Sequence, residues 1–147
     1  MKNLDRPILK SQTPTKVSVH SLIDNLVSGL IPLAASKKSF LLNAVDQNMM
    51  VSTQETAFTY ILSNLITGAV NCTDNGCIRI EAISEKGLTR INVKNNGSYY
   101  CSTVSQILGP VHSIAQQLGG SISIDNLRSK GTTVSFTIFQ PAMSQSA

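Results

Sequence analysis

The chain has 147 residues, 41% of them hydrophobic, which suits one domain with a real core and argues against a disordered chain. Its net charge of +4, from 12 Lys and Arg against 8 Asp and Glu, is scattered, with only Lys37 and Lys38 adjacent. That pattern argues against a nucleic-acid binder, which clusters its charge and interleaves aromatics. Aromatics make up 5% and Trp is absent, so Leu, Ile, Val and Ala must build the core.

The three cysteines, Cys72, Cys77 and Cys101, form no Cys-x-x-Cys pair. They read as free thiols in a reducing cytoplasm, and with two His in the chain they make a poor zinc site. No apolar run approaches the ~20 residues that span a bilayer. Lys2, Asp5 and Arg6 open the chain without an apolar signal core. The expectation is a cytoplasmic chain that does not insert into a membrane.

In chain order, residues 1–16 are polar, carry Pro7 and Pro14, and read as a flexible arm. Val19, Leu22, Ile23, Leu26, Val27, Leu30 and Ile31 recur at helical spacing behind Ser18, a plausible N-cap. Pro32 should kink or weaken the last turns. Residues 39–45 read as a strand. A second helix uses Ala57, Phe58, Ile61, Leu62, Leu65, Ile66 and Ala69, with Thr53 as its cap. Asp74-Asn75-Gly76 marks a turn. Two alternating runs follow, Ile78, Ile80, Ala82 and Thr89, Ile91, Val93, joined at Glu85-Lys86-Gly87 as a hairpin. A third helix covers about 103–118 and stops at Gly119-Gly120. Strands at 121–126 and 132–139 close the domain, and 140–147 reads as a flexible tail. The order predicts an α+β, two-layer sandwich, with three helices on one face of a mixed, mostly antiparallel sheet.

Four stretches in this order carry a resemblance. Leu30-Ile-Pro-Leu-Ala-Ala-Ser-Lys-Lys38 has a Pro-x-Ala step before Lys and a strand. Tyr60-Ile-Leu-Ser-Asn64-Leu-Ile-Thr-Gly68-Ala-Val-Asn71-Cys-Thr73 is similar to an N-box. Ile91-Asn-Val-Lys-Asn95-Asn96-Gly97-Ser98-Tyr99 stands where a Val-x-Asp-x-Gly-x-Gly motif would be. Leu118-Gly-Gly-Ser-Ile122 and Lys130-Gly-Thr-Thr-Val-Ser-Phe136 look like closing Gly-Gly-x-Ile and Gly-Thr-Thr-x-x-x-Phe elements. Together, over residues 17–139, they resemble the histidine kinase-like ATPase domain of bacterial two-component sensor kinases, the GHKL or Bergerat fold.

That resemblance implies ATP and Mg2+ as cofactors, held by Asn64, Gly68, Asn71, Asn95, Gly97 and Thr132, with Asn64 as metal ligand. It also implies a degenerate site. The second N-box Asn is replaced by Gly68, which removes one oxygen from an ion that demands octahedral ligation. The adenine-binding Asp is replaced by Asn95, which still accepts a hydrogen bond but without charge. Charged hydrogen bonds contribute about 1.5–3 kcal/mol against 0.5–1.5 for neutral ones, a difference of roughly tenfold in affinity. Tyr99 replaces a glycine, where a ring could block the pocket or stack on a base. Only Tyr100-Cys101-Ser102 separate it from the third helix, so no Gly-rich lid closes over phosphate.

No catalytic residue is nominated. His20 and His112 read as ordinary structural or surface residues, and the two-helix hairpin that bears a phosphoacceptor His is lacking. The leading expectation is a module with weak or absent ATP binding, inactive alone, that regulates or docks. Its implied partner is a response regulator or a His-bearing dimerisation domain. The alternatives are the excised catalytic domain of an active kinase and a non-catalytic interaction module without nucleotide.

Overall fold

The helical spacing that begins at Val19 becomes helix α1 (Val19–Ser36), and Ser18 caps it by accepting the Ser21 N–H at 3.3 Å. This computed structural model describes residues 14–96, 102–127 and 131–139, and for 102–108 and 126–127 the backbone alone. Val19, Leu22, Ile23, Val27 and Ala34 are the buried stripe of α1. Pro32 does not end the helix, which continues to Ser36. The proline is exposed, so the N–H it lacks falls where water can satisfy the carbonyl one turn back. Ile31, expected on the apolar face, is instead 54% exposed.

With 18 residues and a mean hydropathy of 1.2, α1 meets the length and composition of a membrane span. This corrects the expectation that no stretch does. In this fold its apolar stripe lies in the domain core.

Strand β1 (Thr15–Ser18) pairs antiparallel with β3 (Met50–Thr53) as a separate two-stranded ribbon, with Val17 opposite Val51. Thr15 and Lys16 therefore belong to this strand and not to an arm; the rest of the expected arm and the tail at 140–147 lie outside the described residues. Helix α2 (Glu55–Asn71) is capped at Gln54, whose side chain makes no capping bond. Thr53, expected in that role, is a buried residue of β3. Every apolar residue expected to face inward from α2 is buried.

The main sheet runs β2 (Phe40–Asn43), β4 (Cys77–Glu85), β5 (Leu88–Asn95), β7 (Gly131–Phe139), β6 (Gly120–Leu127) in spatial order. β2 is parallel to β4 and the other neighbours are antiparallel. β4 and β5 form a hairpin through Lys86 and Gly87, at φ 50° and 80°, the pair of positive angles that a tight two-residue turn requires. Helix α3 (Ser102–Gln117) runs through Gly109-Pro110 and stops where Gly119, at φ 77°, donates to the Gln116 carbonyl.

The inward residues Ile78, Ile80, Ile91, Val93, Val134, Phe136 and Ile138 meet the stripes of the three helices in one cluster. At its centre the Phe58 and Phe136 rings lie 5.9 Å apart, tilted 43°. Three helices on one face of a mixed, mostly antiparallel sheet is the architecture expected. The other face is polar. Glu81 receives Arg79 at 2.9 Å and Lys94 at 3.3 Å, and the Ser135 hydroxyl donates to the Asn92 side-chain oxygen at 2.7 Å.

One expectation about the cysteines is corrected. Cys72, buried at the C-terminal end of α2, is disulfide-bonded, while Cys77 is free.

Candidate functional site

Helical periodicity places Asn64, Gly68 and Asn71 on one side of α2, at i, i+4 and i+7. Asn64 is half-buried and its Nδ2 donates to the Tyr60 carbonyl at 2.8 Å, which leaves its amide oxygen as the group suited to a metal or donor. Gly68 is buried and contributes only backbone; its carbonyl accepts the Cys72 N–H at 3.1 Å. Asn71 is exposed, and its carbonyl accepts Lys37 Nζ at 2.8 Å. The same ammonium lies 3.6 Å from Asp74, so Lys37 ties the end of α1 to the end of α2.

Asn95 ends β5 and Thr132 begins β7. The sheet register makes them direct partners, and both are buried. The polar ends of two central strands are thus brought together beside α2, which packs against β5. Gly131 makes this possible. At φ 85°, a Cβ there would lie 2.0 Å from the Asn95 carbonyl oxygen, so no other residue lets β7 start this close to the end of β5. Gly97 and Tyr99, also expected here, lie outside the described residues, as do the residues between Tyr99 and Ser102.

Reading the sequence missed the hydrogen-bonded frame that joins the end of α2, the start of β2 and the residue after β5. Thr73, fully buried, donates its hydroxyl to Ala69 O at 2.7 Å and closes the last turn of α2. Ser39 donates to the Thr73 carbonyl at 3.1 Å and accepts the Gly76 N–H at 3.2 Å. Asn96 Oδ1 accepts the Cys77 N–H at 2.8 Å, and the Asn96 N–H donates to the Cys77 carbonyl at 3.3 Å. A Cβ at Gly76 would lie 2.6 Å from that Oδ1 and 2.7 Å from Thr73 Cγ2. The sequence signal was present in Asp74-Asn75-Gly76, but it announces a turn and not what the turn must fit.

The histidines stand apart from this cluster. His20 Nδ1 is 2.8 Å from the Val45 carbonyl and Nε2 is 4.0 Å from Asp24, which anchors α1 to the segment after β2. His112 is exposed on α3. Among the described residues no group of three His, Cys, Asp or Glu could hold a metal.

The residues present differ in what they bring to the two halves of a nucleotide. At one end a buried Asn amide stands beside a buried Thr on one rung of the sheet. On α2, Asn64 can give one oxygen, and Gly68 gives no side-chain oxygen where a magnesium site would want a second.

Neither a family model nor a curated protein matches the chain. Solved structures do. Full-length ShkA in complex with AMPPNP superposes with a TM-score of 0.78 at 19% identity, over 90% of this chain and 32% of that one. The nucleotide-free catalytic domain of histidine kinase ThkA gives 0.71 at 22%, over 86% and 95%. ThkA in complex with response regulator protein TrrA gives 0.73 at 18%, over 88% and 42%. This chain therefore spans about a third of ShkA but nearly all of an isolated catalytic domain. Helices, sheet order and these superpositions agree that the chain has the fold of a histidine kinase catalytic domain, the GHKL or Bergerat fold.

Proposed function

We propose that this chain is the ATP-binding-type module of a two-component sensor histidine kinase whose nucleotide site is degenerate. It binds ATP weakly or not at all, and acts by regulating or docking. The observation that carries this reading is Gly68, which stands between Asn64 and Asn71 on the polar side of α2 and offers no side-chain oxygen. When bound, a magnesium ion would neutralise phosphate charge. Asn64, whose Nδ2 is taken by the Tyr60 carbonyl, would contribute its amide oxygen to it. At the other end, Asn95 would accept a hydrogen bond from the base and Thr132 would sit beside it. Asn71 would lie toward the phosphates, and Gly97 would let the chain approach the base closely.

The partner in this reading is a response regulator or a His-bearing dimerisation domain. The ThkA–TrrA complex supports the first by likeness of fold. Likeness of fold to the cytoplasmic segment of histidine kinase QseC supports a cytoplasmic setting.

Titration calorimetry with ATP and with ADP, each with and without magnesium, tests the proposal. The expected result is millimolar or weaker affinity that magnesium does not improve. Asn95→Asp with Gly68→Asn should then strengthen ATP binding by about tenfold or more and make it magnesium-dependent. Micromolar, magnesium-dependent binding by the unaltered chain would overturn degeneracy. The buried Asn95–Thr132 rung would then favour the second reading, the excised catalytic domain of an active kinase.

A further inference from the structure

β2 is an edge of the main sheet. The Phe40 N–H donates to Gly76 O at 2.9 Å and the Ala44 N–H to Ile80 O at 2.8 Å, so even-numbered residues of this strand turn their backbone groups toward β4. Backbone groups alternate along a strand, so Leu41 and Asn43 aim theirs outward. Among the described residues no strand pairs with that side. The edge is also apolar: Phe40 is 73% exposed and Leu42 45%. It carries neither a proline nor a bulge, two of the devices by which proteins blunt a free edge. Beside it runs a groove of about 590 Å³ lined by Ile31, Ala34, Ala35 and Leu41, with Lys38 on its wall.

We propose that this edge pairs with a second copy of the chain, β2 against β2, antiparallel about a two-fold axis through Leu42. The register follows from the backbone. With Leu41 opposite the partner's Asn43 and the reverse pair by symmetry, every outward N–H and C=O of β2 meets its complement, since each hydrogen-bonded pair exchanges both bonds. Leu42 then lies directly across from the partner's Leu42, in the closer, non-hydrogen-bonded type of pair. Phe40 lies across from the partner's Ala44.

The charges at the two ends agree with the same register. Lys38 precedes the strand and Asp46 follows it, and both are exposed. The two-fold sets the Lys38 end of each strand at the Asp46 end of its partner, whereas a parallel arrangement would set like charges together. The five-stranded sheets become one continuous sheet across the axis. The contact is short, which places it among weak, concentration-dependent associations.

Sedimentation velocity of the full chain from micromolar to millimolar concentration tests this. A monomer–dimer equilibrium is expected, and Leu42→Asp, which sets two carboxylates across the axis, should abolish it while leaving the monomer folded by circular dichroism. Lys38→Asp and Asp46→Lys should each weaken the dimer roughly five- to tenfold, and the double swap should restore it. Hydrogen exchange at the Leu41 and Asn43 amides should slow as concentration rises. The proposal is overturned by a monomer at millimolar concentration or by a dimer indifferent to Leu42→Asp. It is equally overturned by a charge swap that fails to restore association. Amides at Leu41 and Asn43 already protected in the monomer would mean that another segment of the chain covers the edge, and would also overturn it.

Discussion

Two glycines with similar backbone angles separate strain from crowding. Gly119 has φ 77° and nothing within 4 Å of the place a Cβ would take. Gly131 has φ 85° and a carbonyl oxygen 2.0 Å from that place. Gly119→Ala should therefore lose only the left-handed penalty, about 1–2 kcal/mol. Gly131→Ala should lose about 3 kcal/mol or more, because the strand end must also move off Asn95. Urea unfolding of both variants checks the difference. Equal losses would show that the approach of β7 to Asn95 is not tight. In the core, Phe58 is fully buried against Phe136. Phe58→Ala should destabilise by about 3–5 kcal/mol in the same measurement.

At the scale of elements, the two long helices of the first half begin in opposite ways. Ser18 caps α1 with its hydroxyl, whereas Gln54 precedes α2 in extended geometry, φ −80° and ψ 106°, without a side-chain cap. Ser18→Ala should destabilise by about 1 kcal/mol, and Gln54→Ser should stabilise by a similar amount. Thermal unfolding of the two single variants and the double variant reads both effects, which should cancel in the double because each cap residue acts on its own helix. Helix α1 offers a further case. Pro32 sits in its interior and is exposed. Pro32→Ala restores a helical N–H and removes a ring clash, gains that exceed the added freedom of the unfolded chain, so melting temperature should rise. A fall would mean that the proline sets a bend on which the seating of β2 depends.

Over the whole molecule, buried residues from all three helices and from the central strands of the main sheet form a single cluster, and the small ribbon joins it through Val17 and Val51. No second core exists among the described residues to melt separately. Unfolding followed by far-ultraviolet circular dichroism and by tyrosine fluorescence should give coincident transitions. A ribbon or edge that melts early would separate the two curves. The local code was enough for much of this. The helix at 55–71 has its stripe at strict spacing, and the hairpin at Lys86-Gly87 has the residues its turn demands, so propensity and pattern agree there. Asn95 and Thr132 were legible as motif residues, since each lies at an end of a strand with a recognisable period. Other features were not. β1 and β3 are four residues each and pair across a long separation, so nothing within either one announces a strand. Pro32 and Ile31 both lie exposed on α1, and which helical positions face water is decided by how the helix is seated and not by its spacing alone. By itself the sequence determined the order of the three helices and the five strands of the main sheet, and the identities of the polar residues, since these follow from local periodicity and side-chain chemistry. Only the tertiary structure decided that Asn95 and Thr132 share one rung, that Gly76 and Gly131 are required for close approach, and that β2 is left as an open edge. Each of these depends on which distant strands become neighbours, and that is fixed by burial of the whole core and not by any one segment.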